Sequence, residues 1–234
     1  MSTLAQPSPC DCPVCMEPFA PDAAAPRAPG SNPSPGPAPA PVRNAFAPVA
    51  FDRAHSSPEG GFDASAPLRL KNGDLCPVLG QRGMAVRAGS GDVGFVAARV
   101  VASARNWWSG FVRMGLAVQD VSLTSPLGNS VGAFAWYQDG DIFNSFQTLL
   151  PATGGSMVVK THAGFGVGDT VGLMVDCRAA PQLRLFVNGV QRDALALTPG
   201  ATVFPAWAVY GGYQYGRHWG DSELVVEENP AVPQ

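Results

Sequence analysis

From about residue 93 onward, large apolar side chains recur at every second position in short runs, and glycine-containing turns separate the runs. In Val112-Arg113-Met114-Gly115-Leu116-Ala117-Val118-Gln119 the large apolar residues alternate with small or polar ones. Leu183-Arg184-Leu185-Phe186-Val187-Asn188 does the same, with Phe186 as the exception. This is the spacing of strands with one face buried. Further strands are predicted over 93–101, 131–137, 157–161, 170–176, 202–210 and 223–226, with short apolar runs at 68–71 and 84–87. Asn188-Gly189 leads into Val190, and both residues tolerate positive φ, as a two-residue type I′ hairpin requires. Asp139-Gly140, between Trp136-Tyr137 and Ile142-Phe143, reads the same way. Many short strands, glycine-rich turns and no long amphipathic helix predict an all-β, antiparallel sandwich. Trp136 and Trp207 lie on strands and are predicted to be core.

The first fifty residues are built differently. They hold 13 of the 23 prolines but only two of the 27 glycines, Gly30 and Gly36. Nine prolines fall within 20–48, a composition that supports neither helix nor ladder hydrogen bonds and predicts a disordered, extended linker. The expected organisation is a short cysteine knuckle over 1–19, the linker over 20–48, a sandwich over 49–226 and an acidic, proline-containing tail over 227–234. The sandwich alone is long enough for one domain with a sizeable core.

Composition excludes several functions. Fifteen basic against 18 acidic residues give a net charge of −3, without the clustered basic residues of a nucleic-acid surface. No stretch approaches the roughly 18 apolar residues of a membrane-spanning helix, and residues 1–15 lack the basic start and apolar run of a secretory signal. Five cysteines, an odd number with three crowded at 10, 12 and 15, do not suggest a disulfide framework. A reducing, cytoplasmic location is expected.

Three motifs bear on chemistry. Gly89-Ser90-Gly91-Asp92-Val93-Gly94 has the glycine spacing of a dinucleotide loop, but the residues after it lack a polar helical face and no further βαβ units follow. It reads as a turn into a buried strand. Gly128-Asn129-Ser130-Val131-Gly132 has the spacing of a nucleophile elbow, yet a strand follows the serine where a helix is required; Ser130 reads as a turn residue. The five glutamates, at 17, 59, 223, 227 and 228, leave the central strands without the paired carboxylates of a glycosidase. Cys12-Pro13-Val14-Cys15 is a C-x-x-C knuckle, and Cys10, Cys12 and Cys15 are the candidate zinc ligands, one short of a closed tetrahedral site.

The run Cys-Pro-Val-Cys-Met-Glu-Pro-Phe at 12–19 resembles the opening of the RING fingers of TRIM-like ubiquitin ligases, and departs from them after Cys15. The body resembles the SPRY family. Residues 165–176, a glycine turn, Gly-Asp and a strand ending in Asp176, look like that family's most recognisable segment. A strand ending in Asn188-Gly189 and then Phe204-Pro205-Ala206 follow in family order; 93–101, 111–119 and 131–143 precede it. The acidic residue usual in the first of these strands is missing. The resemblance implies a bent, concanavalin-like sandwich whose loops bind proteins, with no shared catalytic residues and no cofactor. On that basis the aromatic, glycine-rich loops are the expected partner-binding surface: Arg105, Trp107 and Trp108 in one, and Tyr213, Tyr215, His218 and Trp219 in the other. Aromatic side chains bury large area at low entropic cost, and Arg joins them at binding hot spots. The expected function is non-enzymatic docking of a peptide or loop of a partner protein. The alternatives are a ubiquitin-ligase component or adaptor using the cysteine knuckle, and a glycan-binding sandwich.

Overall fold

The computed structural model describes residues 42–104, 111–145, 157–160, 164–211, 213–214, 217–218 and 220–233, the last two pairs and 157–160 as backbone. The chain divides into two units, 1–40 and 41–234. The first, including the cysteine knuckle and Cys10, Cys12 and Cys15, lies outside the described residues.

The second unit contains β1 (Arg69–Lys71), β2 (Val78–Leu79), β3 (Met84–Ala85), β4 (Val93–Ala102), β5 (Val112–Ala117), β6 (Ala133–Tyr137), β7 (Asp141–Asn144) and β8 (Met157–Lys160). It continues with β9 (Thr170–Asp176), β10 (Gln182–Val187), β11 (Val190–Ala196), β12 (Thr202–Val209), β13 (Tyr213–Gln214), β14 (Arg217–His218) and β15 (Glu223–Val226). Among the described residues the only helical element is a 3-10 turn, Arg53–His55, capped by the Asp52 carboxylate, which accepts from the Ala54 and His55 N–H groups. One sheet runs β1-β15-β4-β9-β10-β11. The other runs β2-β12-β5-β6-β7-β8, with β3 also on β12, and β13 pairs β14. Each named strand pairing is antiparallel. The all-β antiparallel expectation holds.

Alternation places the core between the sheets. Val96, Ala98 and Val100 on β4, Val171, Leu173 and Val175 on β9, and Leu183, Leu185 and Val187 on β10 supply one wall. Val112, Met114 and Leu116 on β5, Phe134 and Trp136 on β6, and Val203, Trp207 and Val209 on β12 supply the other. Trp136 and Trp207 are fully buried and lie opposite Met114 from either side. Their register explains why two tryptophans fit one layer: they are separated by an unbranched side chain that fills irregular gaps.

The outer faces are apolar too, which explains Phe186. It points away from the main core and meets Phe95 edge to face, with ring centroids 5.9 Å apart, in a second cluster with Val93, Ala97 and Met174, against which Val232 packs. On the opposite sheet the outer face is small: Ala117, Ala133, Ala135, Ala206 and Ala208 admit the covering segment 118–132 with Val121 and Leu127. Gly115 in the same face has no room for a methyl, which would overlap the Phe134 carbonyl.

Pro205 sits in an interior strand without breaking its ladder. Its carbonyl accepts from Gly80 on the β2 side, so its missing N–H falls in the gap between β2 and β3, where no ladder bond is lost.

The ordered body extends past the expected boundaries of 49 and 226. Asn44 acts as a surrogate strand: its Oδ1 accepts from the Phe95 N–H (2.9 Å) and its Nδ2 donates to the Phe95 carbonyl (2.8 Å). Phe46, placed by composition in the linker, is 1% exposed and packs in the main core over Gly94. In the tail, the Glu227 N–H donates to Ala97, and the Glu228 carbonyl accepts from Val49.

Candidate functional site

Antiparallel register brings the ends of β4, β6, β10 and β12 to the same edges as the starts of β5, β7, β9, β11 and β15. Hydrogen bonds between the sheets join these edges into one end of the sandwich. Ser103 Oγ donates to Gln138 Oε1 (2.6 Å) and the Phe165 N–H to the Gln138 carbonyl (2.9 Å). The roots of both aromatic loops meet there. The Ala104 N–H, after β4, donates to Ser222 Oγ, before β15, at 2.9 Å. The Tyr210 N–H, after β12, donates to the Phe111 carbonyl, before β5, at 2.8 Å, and their rings lie 5.4 Å apart. Of the expected contact residues, Arg105, Trp107, Trp108, Tyr215 and Trp219 lie outside the described residues. Tyr213 and His218 are described in backbone only, and the β13–β14 register sets them directly opposite each other.

Residues overlooked in the sequence build the base of this end. The turn after β1 crosses between the sheets: Asn72 Oδ1 accepts from the Ser222 N–H, its Nδ2 donates to Asp221, and Asp74 bridges Tyr210. Beside it the buried Arg113 guanidinium lies 3.9 Å from the centre of the Tyr137 ring and donates to the Leu127 carbonyl (2.8 Å). Tyr137 in turn stacks on Phe143 at 4.3 Å. Burial lowers the Arg113 pKa and pushes that of the Tyr137 hydroxyl up to about 12, which keeps the phenol protonated at neutral pH. They form a rigid cation–aromatic support. The available signal was Asn72-Gly73, a turn dipeptide in a stretch whose strands are too short to show alternation.

The Gly-Asp motif is a staple at the same end. Asp169 accepts from the Gly166 N–H (2.7 Å) and from Asn188 Nδ2 (2.7 Å), while Asn188 Oδ1 accepts from the Thr170 N–H (2.9 Å). Asn188 and Gly189 have φ of 53° and 74°, as the type I′ reading requires. Asp139-Gly140 departs from that reading. Only Gly140 has positive φ (92°), its N–H donates to Tyr137, and a three-residue connection of the bulged kind results.

The remaining motifs are structural. Gly89 and Gly91 take positive φ in a turn whose N–H groups are engaged: Gly89 on Ala179, Ser90 on Arg87, Gly91 on Cys177 and Asp92 on Ser90 Oγ. None is left to cradle a phosphate, and β4 follows where a dinucleotide fold has a helix. Ser130 is 2% exposed, with its Oγ directed at the carbonyls of Ser125 (3.1 Å) and Ser122 (3.2 Å). It closes the covering segment. Among the described residues no group of three or more His, Cys, Asp or Glu could hold a metal ion, and no helix is long and apolar enough to cross a membrane.

No family model matches the chain, and no curated protein matches it. Several solved structures are similar. A human SPRY domain is 17% identical, with a TM-score of 0.49 over 73% of this chain and 96% of that one. The TRIM65 PSpry domain is 13% identical, with a TM-score of 0.48 over 80% and 93%. A carbohydrate-binding module from Bacillus subtilis is 7% identical, with a TM-score of 0.38 over 67% and 82%. The solved structures to which this chain is similar thus include SPRY domains, at identities that concern the fold alone.

Proposed function

We propose that the chain is a non-enzymatic recognition module that docks a peptide or loop of a partner protein at the end of the sandwich where the two aromatic loops are rooted. The observation that supports this reading is the pair of bonds joining residues 104 to 222 and 210 to 111, which seat both loops on one rigid base. A rigid two-sheet scaffold carrying variable aromatic loops is a general solution to binding, because the scaffold's order is established before the partner arrives. Arg105, Trp107 and Trp108 in one loop and Tyr213, Tyr215, His218 and Trp219 in the other are the side chains assigned to the contact. A cytoplasmic protein is the expected partner. SPRY domains are among the neighbours in fold, and the TRIM-like resemblance of residues 12–19 agrees with a role in protein recognition.

The test is affinity capture with the full chain beside a variant carrying Trp107→Ala, Trp108→Ala and Tyr213→Ala. Proteins held by the wild type and lost by an equally stable variant are the expected result. Equal capture by both refutes the assignment of the site. Sugar ligands on an array, with no protein captured, would replace the reading with a glycan-binding one. Metal analysis addresses the knuckle separately: stoichiometric zinc that disappears with Cys10→Ser, Cys12→Ser and Cys15→Ser would assign those thiolates as ligands.

A further inference from the structure

Among the described residues, three other than glycine have positive φ: Asn72 (53°), Leu75 (69°) and Asn188 (53°). The two asparagines are accounted for. Asparagine tolerates the left-handed region, and each side chain here closes a turn by accepting a backbone N–H. Leu75 is different. A γ-branched apolar side chain gains nothing in this region, where glycine fits without strain. The backbone nevertheless holds it there from both sides: its N–H donates to the Val209 carbonyl (3.0 Å) and its carbonyl accepts from the Leu127 N–H (2.8 Å).

Core packing among the described residues does not account for the leucine either. Leu75 is half-buried and belongs to none of the three apolar clusters, nor to the residues packed against them. Among the described residues, the fold therefore keeps a costly conformation for a half-buried side chain that the apolar clusters do not use. Strain of this kind clusters at functional positions, ligand clamps among them. Leu75 sits in the turn that bridges Tyr210, at the base of the loop end.

We infer that Leu75 is a partner-contact residue, held outward by its strained backbone to meet an aliphatic side chain on an extended segment of a partner protein. This rests on the docking role proposed above and adds a residue outside both aromatic loops. Charge narrows the partner's chemistry. Asp74 precedes Leu75, its N–H donates to the Glu59 carbonyl, and both carboxylates act electrostatically on the neighbouring Cys76. Lys71 is the exposed cation of the same turn. With Asp221, which accepts from Asn72 Nδ2 of this turn, three carboxylates stand against Lys71 and the buried Arg113, and the excess of carboxylate favours a Lys or Arg beside the partner's aliphatic residue.

The experiment selects a phage-displayed random-peptide library on the full chain. An enriched peptide is then labelled and its affinity measured by fluorescence anisotropy for the wild type, Leu75→Ala, Leu75→Gly and the Trp107/Trp108/Tyr213 alanine variant. Enriched peptides are expected to pair an aliphatic residue with Lys or Arg. Both Leu75 variants are expected to bind about tenfold more weakly. Leu75→Gly is expected to melt above Leu75→Ala and no lower than the wild type, because glycine removes the strain. A lower melting temperature for Leu75→Gly than for the wild type overturns the inference, since the side chain would then be packing. Unchanged affinity in the Leu75 variants also overturns it; if the aromatic variant still loses binding, the proposed function survives. A selection that enriches nothing overturns both.

Discussion

Replacing Phe46 with alanine tests whether a residue from the proline-rich segment is an integral part of the core. Phe46 is 1% exposed and lies in the main cluster, with its ring against Gly94 of β4. Removing a buried phenyl ring costs about 3–5 kcal/mol, the transfer term plus the cavity left behind. Against a total of about 5–15 kcal/mol for a domain, that is a large share. With a urea dependence of about 1–3 kcal/mol per molar, the unfolding midpoint should fall by about 1–5 M. The neighbour supplies an internal control. A Cβ on Gly94 would lie 2.5 Å from the Phe46 ring, so Gly94→Ala alone should overpack the site and destabilise by about 1–3 kcal/mol. In the Phe46→Ala background the same methyl enters space the ring has left, and its cost should vanish or change sign. Urea titrations of the four proteins read out this cycle. A loss under about 1 kcal/mol for Phe46→Ala, or strict additivity with Gly94→Ala, would refute the packing described here.

Two further predictions concern buried ionisable groups. Asp176 accepts from the Nε, Nη2 and backbone N–H of Arg178 and pairs with Arg184, and the Arg178 bonds hold its carboxyl below the ordinary value of 3.8. A depressed carboxylate pKa contributes stability that is fully present above 3.8 and lost as pH falls through the lower folded value. Asp176→Asn should therefore cost about 1–3 kcal/mol at neutral pH. The gap to the wild type in thermal midpoint should close in strong acid; a gap independent of pH would exclude the ion pair as its source. Burial raises the thiol pKa of Cys177 and pushes that of Cys76 up to about 12. In a chain with Cys10, Cys12 and Cys15 replaced by serine, native thiols should resist a disulfide reagent at pH 8, and two should react after denaturation. Rapid reaction of the folded chain would show Cys76 or Cys177 to be accessible.

Local pattern carried most of the strand assignments. The 170–176 and 223–226 segments coincide with β9 and β15, and Asn188-Gly189 forms the turn its composition implies. β1, β2 and β3 have two or three residues each, too few for alternation to register, so 49–90 reads as transitional although Leu70, Val78 and Met84 enter the core. Phe186 breaks the alternation because the second face of its sheet is apolar as well, with Phe95, Met174 and Val232 around it. Composition put Phe46 among prolines, and a single aromatic in such a segment has no period to mark it as core. At the loop end, the aromatic and Arg residues were visible as loop residues, whereas the turn over 72–75 was not, since its role depends on Ser222, Tyr210 and Val209, far away in the chain.

Alternating side chains and the glycine turns between them were sufficient to specify antiparallel strands and the face each one buries, because strand geometry couples neighbouring residues directly. They also fixed the turns, whose conformations depend on one or two residues. Tertiary structure alone decided which strand ends share a rim, what covers each outer face and where a leucine is held against its backbone preference. Those outcomes rest on bonds such as that from Ala104 to Ser222, whose partners lie 118 residues apart. No local pattern encodes a contact of that separation, because its energy exists only once both sheets have formed and closed on each other.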